Sequence, residues 1–221
     1  MSGSGSHTGL IEGVRGQLNE RFRQPPSKER LDKTVNALRR NGLTVYTESS
    51  AADALRRFQA IVPEGAEVFT GTSRTLEETG IAELVDKSGK YRSVRAKLAT
   101  MDRKTQMREM VKLGATPEYI VGSVHAVTED GQVVVASATG SQLGPYSASA
   151  AKVVWVVGTQ KVVRDLEEAF QRIREYAFVR EDERAQKAYG MGSSISKILI
   201  VQKELTPGRI SVVFVPEILG F

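Results

Sequence analysis

The chain has 221 residues, with 31 lysines and arginines against 26 aspartates and glutamates, a net charge of +5, two histidines and no cysteine. Without cysteine, this chain forms no disulfide, offers no Cys nucleophile and holds no iron–sulfur cluster through thiolates. Hydrophobic residues make up 40% of the chain, which suffices for a globular core, while the longest apolar run is too short to cross a bilayer. We therefore expect a folded cytoplasmic protein that makes no contact with a membrane.

Residues 1–24 are predicted to form a flexible segment followed by a helical arm. Small polar residues dominate residues 1–9, whereas Leu10, Val14 and Leu18 recur at the spacing of one helix face. A pair of prolines ends this pattern. Because an apolar helix face needs a cover, we expect the arm either to pack on its own domain or to form a homodimer with a second copy.

Residues 25–221 are predicted to form a single α/β domain. Ser27 is a typical N-cap for a helix over Lys28–Arg40. The elements that follow are a strand over residues 43–47, a helix over Ala51–Ile61 and a strand over residues 66–69. This alternation indicates a parallel sheet with crossover helices.

The second half of the chain is predicted to continue the same architecture. A helix over residues 102–113 places Met107, Met110 and Val111 toward the core. The remaining predicted elements are hairpin strands over residues 119–128 and 132–136, a buried strand over residues 152–157, a helix over residues 165–188 with a break near Val179, and strands over Lys197–Val201 and Ile210–Val215. No repeat or linker interrupts the series, so we expect one domain.

Positive charge is concentrated in residues 90–112, which hold eight basic and two acidic side chains. Such a stretch either forms a solvated helix face or attracts a small anion. Lys97, Arg103 and Lys104 are its candidates for assisting an anionic ligand. No helix-turn-helix, RNP or zinc-finger pattern accompanies the stretch, so we expect no nucleic-acid partner.

Three predicted loops are candidates for binding a small anion. Ligands of parallel sheets lie beyond the carboxyl ends of the strands, where Gly allows close backbone approach and hydroxyl groups donate hydrogen bonds. The candidate residues are Gly71, Thr72, Ser73 and Thr75 in the first loop, Ser137, Thr139, Gly140, Ser141 and Gln142 in the second, and Lys161 after the buried strand. The alternative is that the hydroxyl residues only cap helices and that Lys161 is a solvated loop residue. The first loop has the spacing of neither a dinucleotide-binding motif nor a P-loop.

Two further residues have a functional and a structural interpretation. Glu129 lies at the tip of the predicted hairpin, where its carboxylate could act as a nucleophile or base, although the Glu-Asp-Gly sequence already favours a turn. His125 lies in an apolar strand, and a half-buried strand histidine is the favoured interpretation over a base.

As an ordered set, four segments resemble the lactate-utilisation (LUD) domain proteins, the LutC/YkgG-like group. These are residues 70–80 (TGTSRTLEETG), 122–131 (GSVHAVTEDG), the loop at 137–142 and residues 152–163 (KVVWVVGTQKVV). The resemblance implies a NagB/RpiA/CoA-transferase-like fold, which is a Rossmann-like, mostly parallel sheet flanked by helices. It also implies a part in oxidising L-lactate to pyruvate beside iron–sulfur proteins.

The sequence departs from the commonest family pattern at residues 128–131. Many members carry an Ala-Glu-Thr-Gly-like stretch where this chain has Thr-Glu-Asp-Gly, so the Glu and the Gly are kept. A related Glu in CoA-transferases is their nucleophile, and by that likeness Glu129 is the catalytic candidate.

Three functions therefore stay open. The chain is an accessory component of lactate oxidation whose iron–sulfur partners carry the clusters, or a stand-alone transferase or isomerase, or a binding module without catalysis. For the enzyme and the binding module, the expected ligand is a small carboxylate, a sugar phosphate or an acyl-CoA. The sequence does not define a cofactor.

Overall fold

The protein is described by a computed structural model that covers residues 18–221. Its strands are β1 (Thr44–Thr47), β2 (Glu67–Thr70), β3 (Arg92–Ser93), β4 (Tyr119–Gly122), β5 (Ala126–Thr128), β6 (Val133–Ser137), β7 (Lys152–Gly158), β8 (Val162–Val163), β9 (Lys197–Val201) and β10 (Ile210–Val215). Its α-helices are α1 (Lys28–Arg40), α2 (Ala51–Ile61), α3 (Arg74–Glu78), α4 (Ile81–Lys87), α5 (Val94–Ala99), α6 (Met107–Ala115), α7 (Leu166–Arg172) and α8 (Phe178–Tyr189). Four short helical turns complete the structure: Glu20–Arg23, Pro145–Ser149, Thr159–Lys161 and Ile173–Ala177.

A six-stranded parallel sheet in the order β1-β10-β7-β4-β2-β3 forms the centre of the fold. Both faces of this sheet are covered, which explains the continuous apolar run of β7. Val153 and Trp155 pack on one side with Leu38 of α1, whereas Val154 packs on the other side with Phe58 of α2. The predicted fold class, a mostly parallel sheet flanked by helices, is confirmed.

A second sheet of four strands, in the order β8-β5-β6-β9, extends from the first. The predicted hairpin is present, with β5 and β6 antiparallel, but its first strand is divided. β4 ends at Gly122 in the large sheet, and β5 begins at Ala126 in the small one. Between them, Ser123 Oγ donates to the carbonyl oxygen of Val156 at 2.7 Å. The chain therefore changes sheets within a segment that the sequence pattern predicts as one strand.

Several element boundaries agree with the sequence analysis because local signals define them. The helices α1 and α2 begin after Ser27 and Ser50, whose hydroxyls accept hydrogen bonds from the N–H groups of Arg30 and Asp53. Asp165 caps α7 in the same way. Strands β9 and β10 also have the predicted bounds.

The orientation predicted for the helix over residues 102–113 is wrong. Its helical part, α6, begins only at Met107, and no side chain of α6 is buried. Met107 is 52% exposed and Val111 is 61% exposed. The helix contacts α5 and the turn Pro145–Ser149, and Leu113 is the side chain that packs against the core. The spacing of apolar residues predicts an amphipathic helix but does not show whether a neighbour covers its apolar face.

The predicted N-terminal arm lies mostly outside the described residues. Within them, Leu18 and Phe22 pack against a cluster that includes Ile173 and Tyr176. Asn19 connects to the same region, since its amide donates to the Glu175 carboxylate at 2.7 Å. Across residues 18–221, no helix has the length and apolar content that crossing a membrane requires.

Candidate functional site

A cavity of about 300 Å³ lies at the carboxyl ends of β2, β4 and β7, at the junction of the two sheets. Two connections run side by side there. Residues 123–125 connect β4 to β5, and Thr159–Lys161 connects β7 to β8. Because β4 pairs with β7 and β5 pairs with β8, these connections are held next to each other. The position is the one expected for the ligand site of a parallel sheet.

The structure brings most of the predicted anion-binding residues to this cavity. Those that line it are Gly71, Thr72, Ser73, Thr75, Ser137, Thr139, Ser141, Gln142 and Lys161. Gly140 and Glu129 are not among its lining residues. The three predicted loops, distant in sequence, thus form one site.

Lys161 is the central charged group of the site. It is 1% exposed, and its Nζ donates to Ser123 Oγ at 3.0 Å and to Thr75 Oγ1 at 3.1 Å. Within residues 18–221, no carboxylate lies within 4 Å of Nζ. Burial, and then the charge of Arg172, lower the pKa of Lys161 well below its ordinary value, while Glu78 opposes this shift. The interpretation of Lys161 as a solvated loop lysine is wrong.

His125 contributes a neutral imidazole to the cavity wall. Its Nδ1 accepts a hydrogen bond from the N–H of Ala136 at 3.1 Å, so the neutral ring carries its proton on Nε2. Burial, followed by the charges of Lys161 and Arg172, lowers the pKa of His125 to about 3. The ring is therefore uncharged at neutral pH and offers one N–H donor. The half-buried position expected from the sequence is confirmed, but His125 lies in the connection before β5 and not in a strand.

Arg172 adds a second buried cation that the sequence analysis missed. Its side chain is fully buried, donates from Nη1 to the carbonyl oxygen of His125, and lies over the ring of Tyr176 at 5.2 Å. In the described part of the chain, its Nε and Nη2 have no hydrogen-bond partner. Burial lowers the pKa of Arg172 to about 10, so the guanidinium stays charged at neutral pH. The region beneath the cavity is consequently electropositive.

Arg95 holds the first loop in place. Its Nε donates to Thr70 Oγ1 at 2.9 Å, and its Nη2 donates to Thr72 Oγ1 at 3.2 Å. The carboxylate of Asp86, 3.9 Å from Arg95 Nε, accepts from Thr70 and Ser93. Arg95 belongs to the basic stretch predicted from the sequence. Its position at the cavity follows from the N-cap at Ser93, which starts α5 beside the loop.

The other basic side chains named for that stretch have a different place. Lys97, Arg103 and Lys104 are exposed and do not line the cavity. The stretch is therefore mostly a solvated surface, and Arg95 is the member that reaches the site.

The second loop is built around Ser137. The Ser137 hydroxyl accepts from the N–H of Gly140 at 2.9 Å and donates to Gln142 Oε1 at 3.1 Å. Gly140 has a φ of +83°, and a Cβ there would lie 2.7 Å from the side chain of Lys197. Gly140 thus shapes the loop from outside the cavity and leaves Thr139 and Ser141 to line it.

The helix after β8 forms another wall. A π-helical turn, Ile173–Ala177, joins α7 to α8, and both of its end residues line the cavity. Glu181 and Arg184, which form an ion pair at 2.7 Å, lie on the same wall. This turn corresponds to the break predicted near Val179. Such turns change the phase of a helix and are frequent at functional sites.

Residues 219–221 complete the cavity, and the sequence analysis found no signal for them. Phe221 lines the cavity, and the carbonyl oxygen of Leu219 accepts from Thr75 Oγ1 at 3.2 Å and from Gln160 Nε2 at 3.0 Å. The N–H of Gly220 donates to the Glu78 carboxylate at 2.7 Å. The segment after β10 therefore folds back onto the first loop.

Glu129 has partners that account for its position without catalysis. Its two carboxylate oxygens lie 2.7 Å from Arg30 Nε and 2.9 Å from Lys33 Nζ, both on α1. Its N–H donates to the carbonyl oxygen of Val163 at 2.9 Å. Hydrogen bonds from Lys33, followed by the bonds and charge of Arg30, lower the pKa of Glu129. Glu129 therefore fastens the hairpin to α1, away from the cavity.

We expect the Glu129→Gln variant to be less stable than the wild type at neutral pH. The folded-state pKa of Glu129 is lowered, so its stabilising effect is present above the unfolded pKa and is lost as the pH falls through the folded pKa. Urea titrations should consequently show a difference at neutral pH that disappears in acid. Ligand binding should be unchanged. A variant of wild-type stability that no longer binds ligand would contradict this assignment.

The cavity shows no sign of a metal centre in the part of the chain that the structure covers. No group of three or more potential ligands among His, Asp and Glu comes together within residues 18–221. The polar side chains at the cavity are mostly hydroxyls, amides and cations, which is a donor set for an anion. The two carboxylates of the lining, Glu77 and Glu181, form ion pairs with Arg74 and Arg184.

Comparison with known proteins places the chain in a family. Residues 31–215 match the family model of the LUD domain. The fold is similar to the crystal structure of a DUF162 family protein from Deinococcus radiodurans, with a TM-score of 0.55 at 11% identity, over 87% of this chain and 99% of that chain. None of the curated proteins matches this sequence. At such low identity the structural likeness shows the fold alone, but the family match spans most of the chain. The chain therefore belongs to the LUD domain family.

Proposed function

We propose that this LUD-domain protein binds a small organic carboxylate in the cavity and acts as a component of L-lactate oxidation to pyruvate, with iron–sulfur proteins as partners. The observation that carries the proposal is Lys161, a buried basic group at the cavity wall whose hydrogen-bond partners are both neutral hydroxyls. A buried basic group is normally paired, and here the pairing group would be the ligand.

The surroundings of Lys161 favour an anion over a neutral ligand. Arg172 is a charged group beneath the site, and Arg95 lies on the wall formed by the first loop. The hydroxyl groups of Ser73 and Thr139 approach from opposite loops. Hydrogen bonds from neutral hydroxyls and from cations to a carboxylate are among the stronger ones that a protein forms.

The size of the cavity favours a small ligand. A volume of about 300 Å³ is at the lower end of the range for small-molecule sites. A three-carbon carboxylate fits this space, whereas an acyl-CoA would extend far beyond it. Lactate and pyruvate belong to the class that fits.

The proposed partners follow from the chemistry that this chain lacks. Oxidation of lactate releases two electrons, and a chain without cysteine cannot pass them to a thiolate-bound cluster of its own. The cavity would hold the carboxylate while partner proteins carry the electrons.

A thermal-shift panel tests the binding part of this proposal. We expect L-lactate or pyruvate to stabilise the protein by about 2.7 kcal/mol at a hundredfold excess over the dissociation constant. Sugar phosphates and CoA esters complete the panel. Glu129→Gln is the matched control and should respond as the wild type does. If no compound shifts the melting temperature, the cavity is not an anion site.

Genetics and purification test the partner role. We expect deletion of this protein to impair growth on L-lactate and native purification to recover an iron–sulfur protein with it. Unchanged growth together with recovery of the chain alone would refute the role in lactate oxidation. The protein would then be interpreted as a module that only binds an anion.

A further inference from the structure

We infer that Lys161 is a carbonyl-reactive amine that forms a Schiff base with an oxo group of the anion bound in the cavity. The inference rests on the proposed function, because the cavity must first bind the anion. It goes further by assigning a covalent step to one nitrogen and by naming a substrate class, an anion that carries a ketone or aldehyde group.

The hydrogen bonds around Lys161 leave one position of its nitrogen open. The hydroxyl of Ser123 donates its proton to the carbonyl oxygen of Val156, and the hydroxyl of Thr75 donates to that of Leu219. Both oxygens therefore accept from Lys161 Nζ. A neutral amine has two N–H groups and one lone pair. These two acceptors occupy both N–H groups, so the lone pair is free for a carbonyl carbon in the cavity.

The charges around Lys161 favour the neutral amine before the ligand binds. Its side chain is almost completely buried, and the guanidinium of Arg172 is the main charge that acts on it. Burial and a neighbouring cation are the two conditions that activate lysine toward carbonyl compounds. Glu78, which acts in the opposite direction, uses a carboxylate oxygen to accept from the N–H of Gly220.

The condensation needs no oxidant or reductant. The lone pair of Nζ forms the C–N bond while the π-electron pair of the C=O bond moves to oxygen. A proton passes from nitrogen to that oxygen and gives the carbinolamine. Loss of the hydroxyl group as water, with one proton taken up from the solvent, leaves the protonated imine. The Nε2–H group of His125, on the same cavity wall, is the donor available to the carbonyl oxygen.

The chemistry admits two sources of such an anion, a 2-oxo acid or a phosphorylated carbonyl sugar. Pyruvate and glyceraldehyde 3-phosphate represent them in separate arms of the test. L-Lactate has a hydroxyl group in place of the oxo group, so it can occupy the cavity but cannot form the imine. It therefore serves as the unreactive competitor.

Reductive trapping of the full chain tests the inference. The protein is incubated with pyruvate, or with glyceraldehyde 3-phosphate, in the presence of sodium cyanoborohydride at neutral pH. An imine is reduced to a stable secondary amine, which adds the mass of the ligand less one oxygen atom. Digestion and mass spectrometry then locate the adduct. Lys197, which packs against Gly140 outside the cavity, is the internal control.

We expect one of the two compounds to modify Lys161 more than about tenfold faster than Lys197, because Lys161 is the buried amine at the cavity with a neighbouring cation, whereas Lys197 is exposed and outside the cavity. L-Lactate should slow the reaction at Lys161 but not at Lys197, and the Lys161→Met variant should lose the adduct. Equal rates at the two lysines in the wild type would overturn the inference, whatever the stability of the variant.

The outcomes separate the inference from the proposal on which it rests. Stabilisation by lactate or pyruvate without trapping at Lys161 would refute the Schiff base and leave the anion site intact. The absence of stabilisation by any anion would instead refute the proposed function. Saturable trapping that lactate suppresses would support both.

Discussion

The Lys161→Met variant is expected to unfold at a higher temperature than the wild type and to lose its response to anions. Methionine fills a similar volume without a group that must be desolvated. Replacing a buried ion pair by hydrophobic residues of similar volume is often neutral or stabilising by about 1–4 kcal/mol, and we expect the same direction for a buried amine that has no carboxylate partner. The hydroxyls of Ser123 and Thr75 keep their bonds to backbone carbonyls in the variant. The gain in stability thus comes with the loss of the ligand-binding group.

The stability that the Lys161→Met variant gains over the wild type should decrease as the pH rises. The folded-state pKa of Lys161 is below the unfolded value of 10.5, so between these two values the unfolded chain binds more protons than the folded one. The stability of the wild type consequently rises with pH across this interval. The advantage of the variant is largest below the folded-state pKa and disappears near the unfolded value. Among its neighbours, His125 is neutral at every pH well above its pKa of about 3.

Calorimetry at several pH values, with and without L-lactate, measures both effects. Lys197→Met is the matched control, since Lys197 is exposed and outside the cavity. It should leave stability and the ligand response unchanged. A Lys161→Met protein that is less stable than the wild type at neutral pH would show that the amine is a paired structural cation, against the role we assign to it.

The Gly122→Ala variant is expected to be destabilised by about 1–3 kcal/mol, the usual range for overpacking a core. A Cβ on Gly122 would lie 1.7 Å from the hydroxyl oxygen of Tyr146 and 3.0 Å from its Cζ. The ring cannot easily withdraw, because it is 1% exposed and packs edge-on against Trp155 at 5.4 Å. Tyr146 also lines the cavity and approaches Gly71, so its displacement should weaken anion binding as well.

Two further variants make this prediction specific. Adding Tyr146→Phe removes the oxygen that lies closest to the new methyl group, so the double variant should recover part of the lost stability. Gly114→Ala is the control, because its Cβ would meet nothing nearer than 3.8 Å and alanine favours a helix. Urea titrations of all four proteins provide the comparison. A Gly122→Ala protein of wild-type stability would contradict the close contact.

The fold was predictable because its main signals are local. Ser27 and Ser50 start helices through hydrogen bonds within three residues. Val153 and Val154 are both buried, on opposite faces of the sheet, which requires only a strand covered on both faces. The crossing from β4 to β5 was not predictable, since the mostly apolar and β-branched pattern of residues 119–128 is that of one continuous strand. The exposure of Val111 depends on which neighbours pack against α6, and periodicity contains no information about that.

The candidate site was predictable in its loops and not in its electrostatics. Small and hydroxyl-bearing residues after a strand mark Thr72 as a neighbour of a ligand, because the carboxyl ends of parallel strands share one edge. Ser137 reaches the same cavity from the end of the antiparallel strand β6. The burial of Lys161 and the approach of Arg172 depend on packing between elements far apart in the chain. The likeness of Glu129 to the nucleophilic Glu of CoA-transferases suggested catalysis, whereas its ion pairs with Arg30 and Lys33 on α1 give it a structural role.

The way the chain passes from one sheet to the other divides the cavity into a floor and a rim. The floor contains Ser123, His125 and Lys161, which lie on the two short connections between the sheets. The strands before these connections, β4 and β7, pair with each other, and so do the strands after them, β5 and β8. The rim consists of two Gly/Ser/Thr loops and the α8 wall, and the loops are tied to the sheets only at their first residues, Gly71 and Ser137. Substitutions on the rim can therefore change which anion is accepted while the reactive nitrogen keeps its position. Selectivity and reactivity would be separately adjustable in this domain.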